Sequence, residues 1–191
     1  YAEQFETNGV YAKYGENVTL RESGKILEYI QDPKQKKIDS AFFSKRDKDH
    51  MVDVRALIQG TYTLKYVLAV VFVLFLLAFY FLLRDRFFFL VRVVFVFAGG
   101  LLVGIPLVSY VLYQLIPSLF SDVFLVFHKT FFTNDLWILD PAKDNLINFF
   151  PEPFFYAFLV RILLYGVVLG VVFILSPLFL QRLWVLVRSL K

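Results

Sequence analysis

The sequence predicts an all-α, polytopic membrane protein with a small extracellular helical part. Of its 191 residues, 59% are hydrophobic, well above the roughly 45–50% typical of soluble domains, and the mean hydropathy is +0.64. Three apolar stretches are long enough to cross a bilayer, which takes about 20 residues in a helix. We therefore expect three transmembrane helices in this chain.

The three spans differ in their internal features. Residues 66–83 form an uncharged stretch, about 27 Å long as a helix. The second span runs from residue 87 to about residue 113 and contains Gly99, Gly100 and Gly104, where another helix is able to approach closely. The third covers about residues 157–175. The tail after it either prolongs that helix or lies on the membrane surface as an amphipathic helix.

Polar sequence surrounds these spans. Residues 1–60 are predicted to form an extracellular helical segment, in which Thr19 and Glu22 have capping-box spacing and Asp32-Pro33 ends a helix. Residues 61–191 form the transmembrane domain, with an extracellular loop at about residues 116–155. The basic residues that follow the spans favour a cytoplasmic location for their side of the membrane. They are Arg84, Arg86, Arg182, Arg188 and Lys191.

Charge and cysteine content exclude several classes. The formal charge is +4 and the isoelectric point about 9.2, but the basic residues form no dense cluster, so we predict no nucleic-acid partner. Cysteine is absent, which excludes a thiolate nucleophile, a disulfide framework and a cysteine zinc site within this chain.

The topology places the two histidines of the chain, His50 and His128, on the same side of the membrane. His50 shares a helix face with Asp53, whose carboxylate is able to orient the imidazole or to raise its pKa. Histidine is the side chain best suited to proton transfer near neutral pH. The pair is therefore the candidate catalytic site.

The segment around His128 offers further candidates. Asn134, Asp135 and Asp140 either support the histidines or cap short helices, with Asp140-Pro141 as an N-cap and first helical residue. A metal site built from the histidines, Asp53 and a loop carboxylate is an alternative, but no H-E-x-x-H motif is present, and we predict no metal.

Aromatic and basic side chains flank this site. Trp137 and the run Phe131-Phe132 either anchor the loop in the interfacial belt or wall a lipid-accessible pocket. Arg161, four residues into the third span, is either an interfacial anchor or a functional residue.

The two histidine motifs resemble those of a known family. DHMVDV (Asp49 to Val54), just before one span, and FHKTFFTNDLWILDPAKDNLINFFPEPFF (Phe127 to Phe155), just before another, are similar to the bacterial lipoprotein intramolecular transacylases. That family usually has another transmembrane helix ahead of the soluble segment. The chain begins at Tyr1, and we expect a fourth, N-terminal span in the full protein.

The resemblance implies a multi-pass enzyme of the bacterial plasma membrane with its active site on the extracellular face. It would move the sn-2 acyl chain of an S-diacylglyceryl-cysteine lipoprotein onto the α-amino group of the same cysteine, without a cofactor. The motif histidines, His50 and His128, are implied to be catalytic. Diacylated lipoproteins and membrane lipid are the expected partners. Two alternatives are a non-catalytic lipid- or lipoprotein-binding protein and a metal-dependent lipid hydrolase.

Overall fold

The computed structural model describes residues 2–83 and 86–189, with side chains to Pro177 and at Phe179. This part of the chain is helical throughout its regular secondary structure and contains no strand, as the sequence predicts. The helices are α1 (Ala2–Thr7), α2 (Val10–Tyr14), α3 (Glu16–Gln31), α4 (Lys45–Leu82), α5 (Phe87–Leu115), α6 (Leu119–Phe131), α7 (Asn145–Phe149) and α8 (Glu152–Ser189).

The three predicted spans are confirmed as parts of α4, α5 and α8, each long and apolar enough to cross a membrane. At 38 residues, α4 is about 57 Å long, far more than the roughly 30 Å bilayer core. Its polar first part, residues 45–65, therefore lies outside the membrane-spanning segment. Beyond Pro177, α8 continues to Ser189, so the tail prolongs the third helix.

One compact unit contains Tyr1–Val67 and Phe120–Phe158. Its core is built around Phe5 and Phe149, which are both fully buried and lie 5.8 Å apart between ring centroids. The unit joins the polar segment at the beginning of the chain to the segment between the second and third spans. It contains both histidines.

The other compact unit contains Leu68–Leu119 and Leu159–Lys191. Here α5 and α8 meet at Gly99 and Gly170: a Cβ atom on Gly99 would lie 2.6 Å from the Gly170 carbonyl oxygen. The predicted close approach is thus confirmed at Gly99. It is wrong for Gly100 and Gly104, where a Cβ atom would meet nothing within 4 Å, because these two residues face away from α8.

The caps predicted at Thr19 and ahead of residues 136–139 are wrong. Helix α3 begins at Glu16, with Gly15 at a positive φ of 80° as its N-cap, so Thr19 lies inside the helix and donates to the Gly15 carbonyl. Residues 136–139 form no helix, because Asn134 closes a tight turn instead. The predicted helix end at Asp32 is confirmed.

Some predictions fall on residues outside this description. Arg84, from the predicted turn between the first two spans, and Lys191 lie outside the described residues, as do the side chains of Arg182 and Arg188. The cytoplasmic assignment of these cations and the domain division at residue 60 stay predictions.

Candidate functional site

Helix α4 carries His50 on a stripe of polar residues. Arg46, His50 and Asp53 are spaced at i, i+4 and i+7, so they share one face of the helix. The His50 side chain is 6% exposed, and its ring lies 5.1 Å from that of Phe132, edge to face. On this face the imidazole of His50 thus lies between the cation of Arg46 and the carboxylate of Asp53, and the Phe132 ring packs against it.

Helix α6 carries His128 near its end. The Nδ1 atom of His128 lies 2.7 Å from the carbonyl oxygen of Phe124, one turn earlier. A carbonyl oxygen only accepts hydrogen bonds, so Nδ1 is the donor and carries the ring hydrogen. In the neutral imidazole, Nε2 therefore holds the free lone pair, which is the state of a general base.

The fold brings the two histidines together across 78 residues of sequence. Their ring centroids lie 6.2 Å apart, with an angle of 34° between the ring planes. Aromatic side chains surround the pair: Phe124 and Trp137 lie 4.4 Å and 5.2 Å from the ring of His128. The two histidines that the sequence predicts on one side of the membrane thus lie close together in the fold.

Burial controls the charge of His50. The pKa of His50 is lowered to about 4, mainly by loss of solvent and also by the nearby His128, whereas Asp53 acts in the opposite direction. His50 is therefore neutral at physiological pH. Its Nδ1 is the only buried side-chain nitrogen or oxygen without a hydrogen-bond partner in the described part of the chain, so this ring atom is unsatisfied within the protein.

Two polar contacts hold the segment after α6 against α4. Asn134 donates its side-chain amide to the carboxylate of Asp53, at 2.8 Å, and Arg46 donates to the carbonyls of Ile138 (3.0 Å) and Asp135. These contacts lie one turn on either side of His50. Together they fix the segment that holds the Trp137 ring beside His128.

A third polar contact joins α4 to α7 and is buried. The carboxylate of Asp47 is fully buried and accepts from the backbone N–H groups of Ser44, Asn145 and Leu146, at 2.9, 3.0 and 3.2 Å. It therefore caps the start of α4 and the start of α7 at once. Burial raises the pKa of Asp47, whereas the three donors lower it.

The cap is extended by a second carboxylate. The hydroxyl of Ser44 donates to Asp144 at 2.7 Å, and Asp144 also accepts from the N–H of Asp140 at 2.8 Å. Asp144 itself is 4% exposed and is the N-cap residue of α7. The chain from 140 to 146 is thereby tied to the first turn of α4.

The remaining predicted residues have more local roles. Asn134 accepts from the N–H of Leu136 and Asp140 from that of Ala142, so both close turns between neighbouring residues and cap no helix. Asp140 also pairs with Lys143 at 3.2 Å. The hydrogen bond from Ala142 lowers the pKa of Asp140, with Lys143 acting in the same direction.

Three further candidates differ in their surroundings. Trp137 lies in the aromatic wall of the histidine pair. The neighbouring Phe131 is 54% exposed and packs on Phe127 at 4.9 Å. Asp135 is exposed and contributes its carbonyl to the Arg46 contact. Arg161 lies in the other compact unit.

Sequence reasoning missed three residues that build this site. They are Arg46, Asp47 and Asp144. A signal for one of them was present, because Ser44 and Asp47 have capping-box spacing ahead of a long helix. The others depend on contacts with residues about 80 to 100 positions away, which no local pattern contains.

No metal cluster is formed within residues 2–83 and 86–189: no group of three or more His, Cys, Asp or Glu residues is placed to hold an ion. Asp53 contacts Asn134, and Asp135 and Asp140 serve the turns described above. The geometry is that of two imidazoles, able to accept, hold and donate protons, among aromatic side chains.

The fold defines a multi-pass helical membrane protein, and one of its two compact units contains the adjacent histidines. Residues 2–155 match the family described as lipoprotein intramolecular transacylase Lit. The match covers most of the chain, and the protein belongs to this family.

A solved structure shows the same fold. The chain is similar to the membrane-integral lipoprotein intramolecular transacylase Lit from Bacillus cereus, with a TM-score of 0.66 and 21% sequence identity, over 98% of this chain and 82% of that chain. A search of curated proteins found no match.

Proposed function

We propose that this chain catalyses an intramolecular acyl transfer in which His50 and His128 handle the protons. The substrate is a bacterial lipoprotein whose N-terminal cysteine bears an S-diacylglyceryl group. The α-amino nitrogen attacks the sn-2 ester carbonyl, the bond from that carbon to the glyceryl oxygen breaks, and an N-acyl, S-monoacylglyceryl product results. The 6.2 Å separation of the two histidine rings is the observation that carries this proposal.

The reaction requires one proton to move within the site. After the α-ammonium group, with an ordinary pKa of about 7.7–8.0, has lost a proton to solvent, attack releases a second proton from nitrogen. The departing glyceryl oxygen needs one. A single base that accepts this proton and then donates it balances the step.

His128 fits that role. Its Nδ1–H donates to the Phe124 carbonyl, which leaves Nε2 as the acceptor and stabilises the imidazolium once the proton arrives. This assigns the base to His128, although the His50–Asp53 spacing in the sequence favours the opposite order. The hydrogen bond from Asn134 to Asp53 supports the assignment of the base to His128, because the Asp53 carboxylate is engaged in holding the segment after α6.

His50 fits the role of hydrogen-bond donor to the oxyanion. Burial keeps its ring neutral, so it enters the reaction as a hydrogen-bond donor to the oxyanion formed from the ester carbonyl. A neutral imidazole suits this role because it adds no buried charge before the oxyanion develops. Asn134, whose amide already contacts Asp53 and the N–H of Leu136, is assigned to positioning.

No acyl-enzyme is required. Donor ester and acceptor amine belong to one molecule, so binding that molecule in a folded conformation supplies proximity directly. The absence of cysteine from the chain agrees with this scheme, and the scheme uses no cofactor. We place the site at the extracellular face of the bacterial plasma membrane.

The test measures product with purified protein in lipid vesicles and a synthetic diacylglyceryl lipopeptide. We expect His128→Ala and His50→Ala each to reduce formation of the N-acyl product at least about 100-fold, and Lys129→Ala, next to His128 on α6, to retain it. Mass spectrometry of the peptide N-terminus locates the acyl chain. Formation of the product at the wild-type rate by both histidine variants would show that they are not catalytic.

Two further controls separate the alternatives. A protein that only binds lipid or lipoprotein would form no N-acyl peptide even as wild type. A metal-dependent hydrolase would release free fatty acid and lose activity in EDTA, with recovery on added zinc, whereas the proposed transfer continues in EDTA.

A further inference from the structure

Asp53 is a carboxylate without a cationic partner, one turn beyond His50 on α4. Its Oδ2 atom accepts from the side-chain amide of Asn134 at 2.8 Å, and this donor is neutral. Within residues 2–83 and 86–189, no other hydrogen bond and no ion pair reaches this carboxylate. Its second oxygen, Oδ1, is therefore open to a further donor.

The neighbouring basic side chains do not neutralise this charge. Arg46, on the same face of α4, donates instead to the carbonyls of Ile138 and Asp135. Burial lowers the pKa of His50 to about 4, so its ring is neutral at physiological pH. Asp53 acts on the charge of that ring, which shows that the two groups are close in space. The paired histidines thus have a negative charge beside them without a matching positive charge.

A second acceptor at this site also lacks a donor. The His50 side chain is 6% exposed, and its Nδ1 atom is enclosed without a hydrogen-bond partner. An enclosed N–H group without an acceptor is rarer in proteins than an enclosed acceptor with a spare lone pair. The same preference places the lone pair of His50 on Nδ1 and the ring hydrogen on Nε2. The open positions at His50 and Asp53 are therefore both acceptors, and a cationic hydrogen-bond donor complements them.

A primary ammonium group meets this requirement. It is a compact cation with three N–H donors and no acceptor. A metal ion fits less well, because the described part of the chain places no group of three or more His, Cys, Asp or Glu residues to hold one. The N-terminal α-ammonium of a lipoprotein is such a group, and its ordinary pKa of about 7.7–8.0 keeps most of it charged at neutral pH.

The other carboxylates of the segment after α6 match this requirement less well. Asp140 pairs with Lys143 at 3.2 Å, so its charge is already neutralised. Asp135 is exposed, and Asp53 is the carboxylate that acts on the charge of His50. Asp53 is therefore the acidic group that belongs to the histidine pair.

We propose that Asp53 binds the α-ammonium group of the lipoprotein substrate and thereby selects diacylated lipoproteins with a free N-terminus. The identity of the substrate rests on the proposed function. After the amine has lost its proton, an N–H still donates to the carboxylate, and the nitrogen lone pair is available to attack the ester carbonyl. N-acylation converts the amine into a neutral amide, so the product lacks the ion pair and is bound less tightly than the substrate.

An analogue that is unable to react tests this site by binding alone. Both acyl chains of the lipopeptide are replaced by ether-linked alkyl chains, and the N-terminal cysteine carries either its amine or a hydrogen atom in that place. Calorimetry in micelles of an uncharged detergent, near neutral pH, measures both affinities. We expect the wild type to bind the amine form about tenfold more tightly, and Asp53→Asn to prefer it less than about threefold.

Three variants separate the charge of Asp53 from its structural contact. Asparagine at position 53 keeps an oxygen that accepts from Asn134, so Asp53→Asn removes the charge and preserves the contact. Asn134→Ala removes the contact and keeps the charge, and it should retain the preference for the amine form. Asp49→Asn, one turn earlier on α4, is the matched control for loss of a carboxylate and should also retain the preference.

Two results would overturn the assignment to Asp53. One is an equal preference for the amine form in the wild type and in Asp53→Asn. The other is loss of the preference in Asn134→Ala, which would trace the effect to the position of the segment after α6.

A third arm identifies the source of the ammonium group. Phosphatidylethanolamine carries the same group, and we expect its addition to the micelles to change the affinity for the amine form less than about twofold. Competition equal to that of the amine-bearing lipopeptide itself would make the lipid headgroup the occupant and overturn substrate selection.

Failure of this proposal and failure of the proposed function are distinguishable. A wild-type protein that prefers the amine form through Asp53, but forms no N-acyl product from the ester lipopeptide, would refute acyl transfer and leave the ammonium site standing. Unchanged kcat/KM for that ester in Asp53→Asn, with no preference in the binding measurements, would overturn the ammonium site and leave acyl transfer intact.

Discussion

The unit formed by Tyr1–Val67 and Phe120–Phe158 buries carboxylates and an imidazole among phenylalanines, whereas the unit of Leu68–Leu119 and Leu159–Lys191 leaves most of its apolar side chains exposed. Phe5 and Phe149 are fully buried in the first unit, but Phe97 of the second is 69% exposed. Lipid has to cover such surfaces, because water would not tolerate so large an apolar area.

The difference lies in what holds each unit together. In the first, buried polar groups such as Asp47 specify which backbone segments meet, since each N–H group must find an acceptor. In the second, lipid is as apolar as the side chains, so helices associate through close packing at small residues such as Gly99 and Gly170. Polar substitutions should therefore disturb the first unit, and added volume the second.

The largest expected effect is on helix packing. Gly99→Ala places a Cβ atom 2.6 Å from the Gly170 carbonyl oxygen and 2.8 Å from Ile174, so α5 and α8 must separate. We expect a loss of at least about 3 kcal/mol in stability, the upper part of the range for overpacking. Thermal unfolding in detergent, followed by circular dichroism, measures it.

Gly100→Ala is the matched control. It makes the same change one residue later in α5, where the added carbon meets nothing within 4 Å. Its melting temperature should equal or slightly exceed that of the wild type, because alanine favours a helix over glycine. Equal destabilisation by both variants would argue against the Gly99–Gly170 contact.

Removal of the Asp47 carboxylate should have the next largest effect. Asp47→Ala leaves the N–H groups of Ser44, Asn145 and Leu146 without their acceptor, and we expect a loss of about 3 kcal/mol, since each buried unsatisfied donor costs about 1–3. Asp49→Ala, on the same turn of α4, serves as control. Hydrogen exchange should show faster exchange at 145 and 146 only in the Asp47 variant.

The buried imidazole predicts a pH dependence of stability. The pKa of His50 is lowered to about 4 in the folded protein, against about 6.5 in an unfolded chain. Between these values the unfolded chain binds a proton that the folded protein does not, so stability falls as pH falls from about 6.5 to about 4 and levels off below.

The effect amounts to about 3 kcal/mol across that window, from the size of the pKa difference. Melting temperatures of the wild type and of His50→Gln between pH 4 and pH 7 measure it. The variant should show a shallower dependence. Parallel curves for the two proteins would contradict a neutral, buried His50.

The smallest predicted effect concerns Arg46. Arg46→Ala removes the donors to the carbonyls of Asp135 and Ile138 and should cost about 1 kcal/mol, because the contact is exposed to solvent. In a Trp184→Phe background, Trp137 becomes the only tryptophan. Its fluorescence anisotropy should fall in Arg46→Ala and stay unchanged in Lys45→Ala.

Much of the site was predictable as a set of residues but not as a set of contacts. The topology argument placed His50 and His128 on one side of the membrane, and the rings are 6.2 Å apart. Asp53 contacts Asn134, which the sequence did not predict, and its carboxylate also raises the pKa of His50 against the effect of burial. Spacing along α4 shows which residues share a face, but it does not show which segment packs against that face.

The sequence by itself determined the all-helical class, the three spans and the family. These depend on hydropathy and motif, which are local properties: about 20 consecutive apolar residues cross a bilayer wherever they occur. Only the tertiary structure decided that Asp47 and Arg46 hold the segment beyond α6, that Phe132 covers His50, and that the Phe124 carbonyl selects the tautomer of His128.

The physical reason is that a buried polar group is specified by its partner. The same aspartate caps a helix, closes a turn or bridges two segments according to which donors the fold brings within about 3 Å. For Asp47, two of those donors lie 98 and 99 residues away, so they become its neighbours only when the chain has folded.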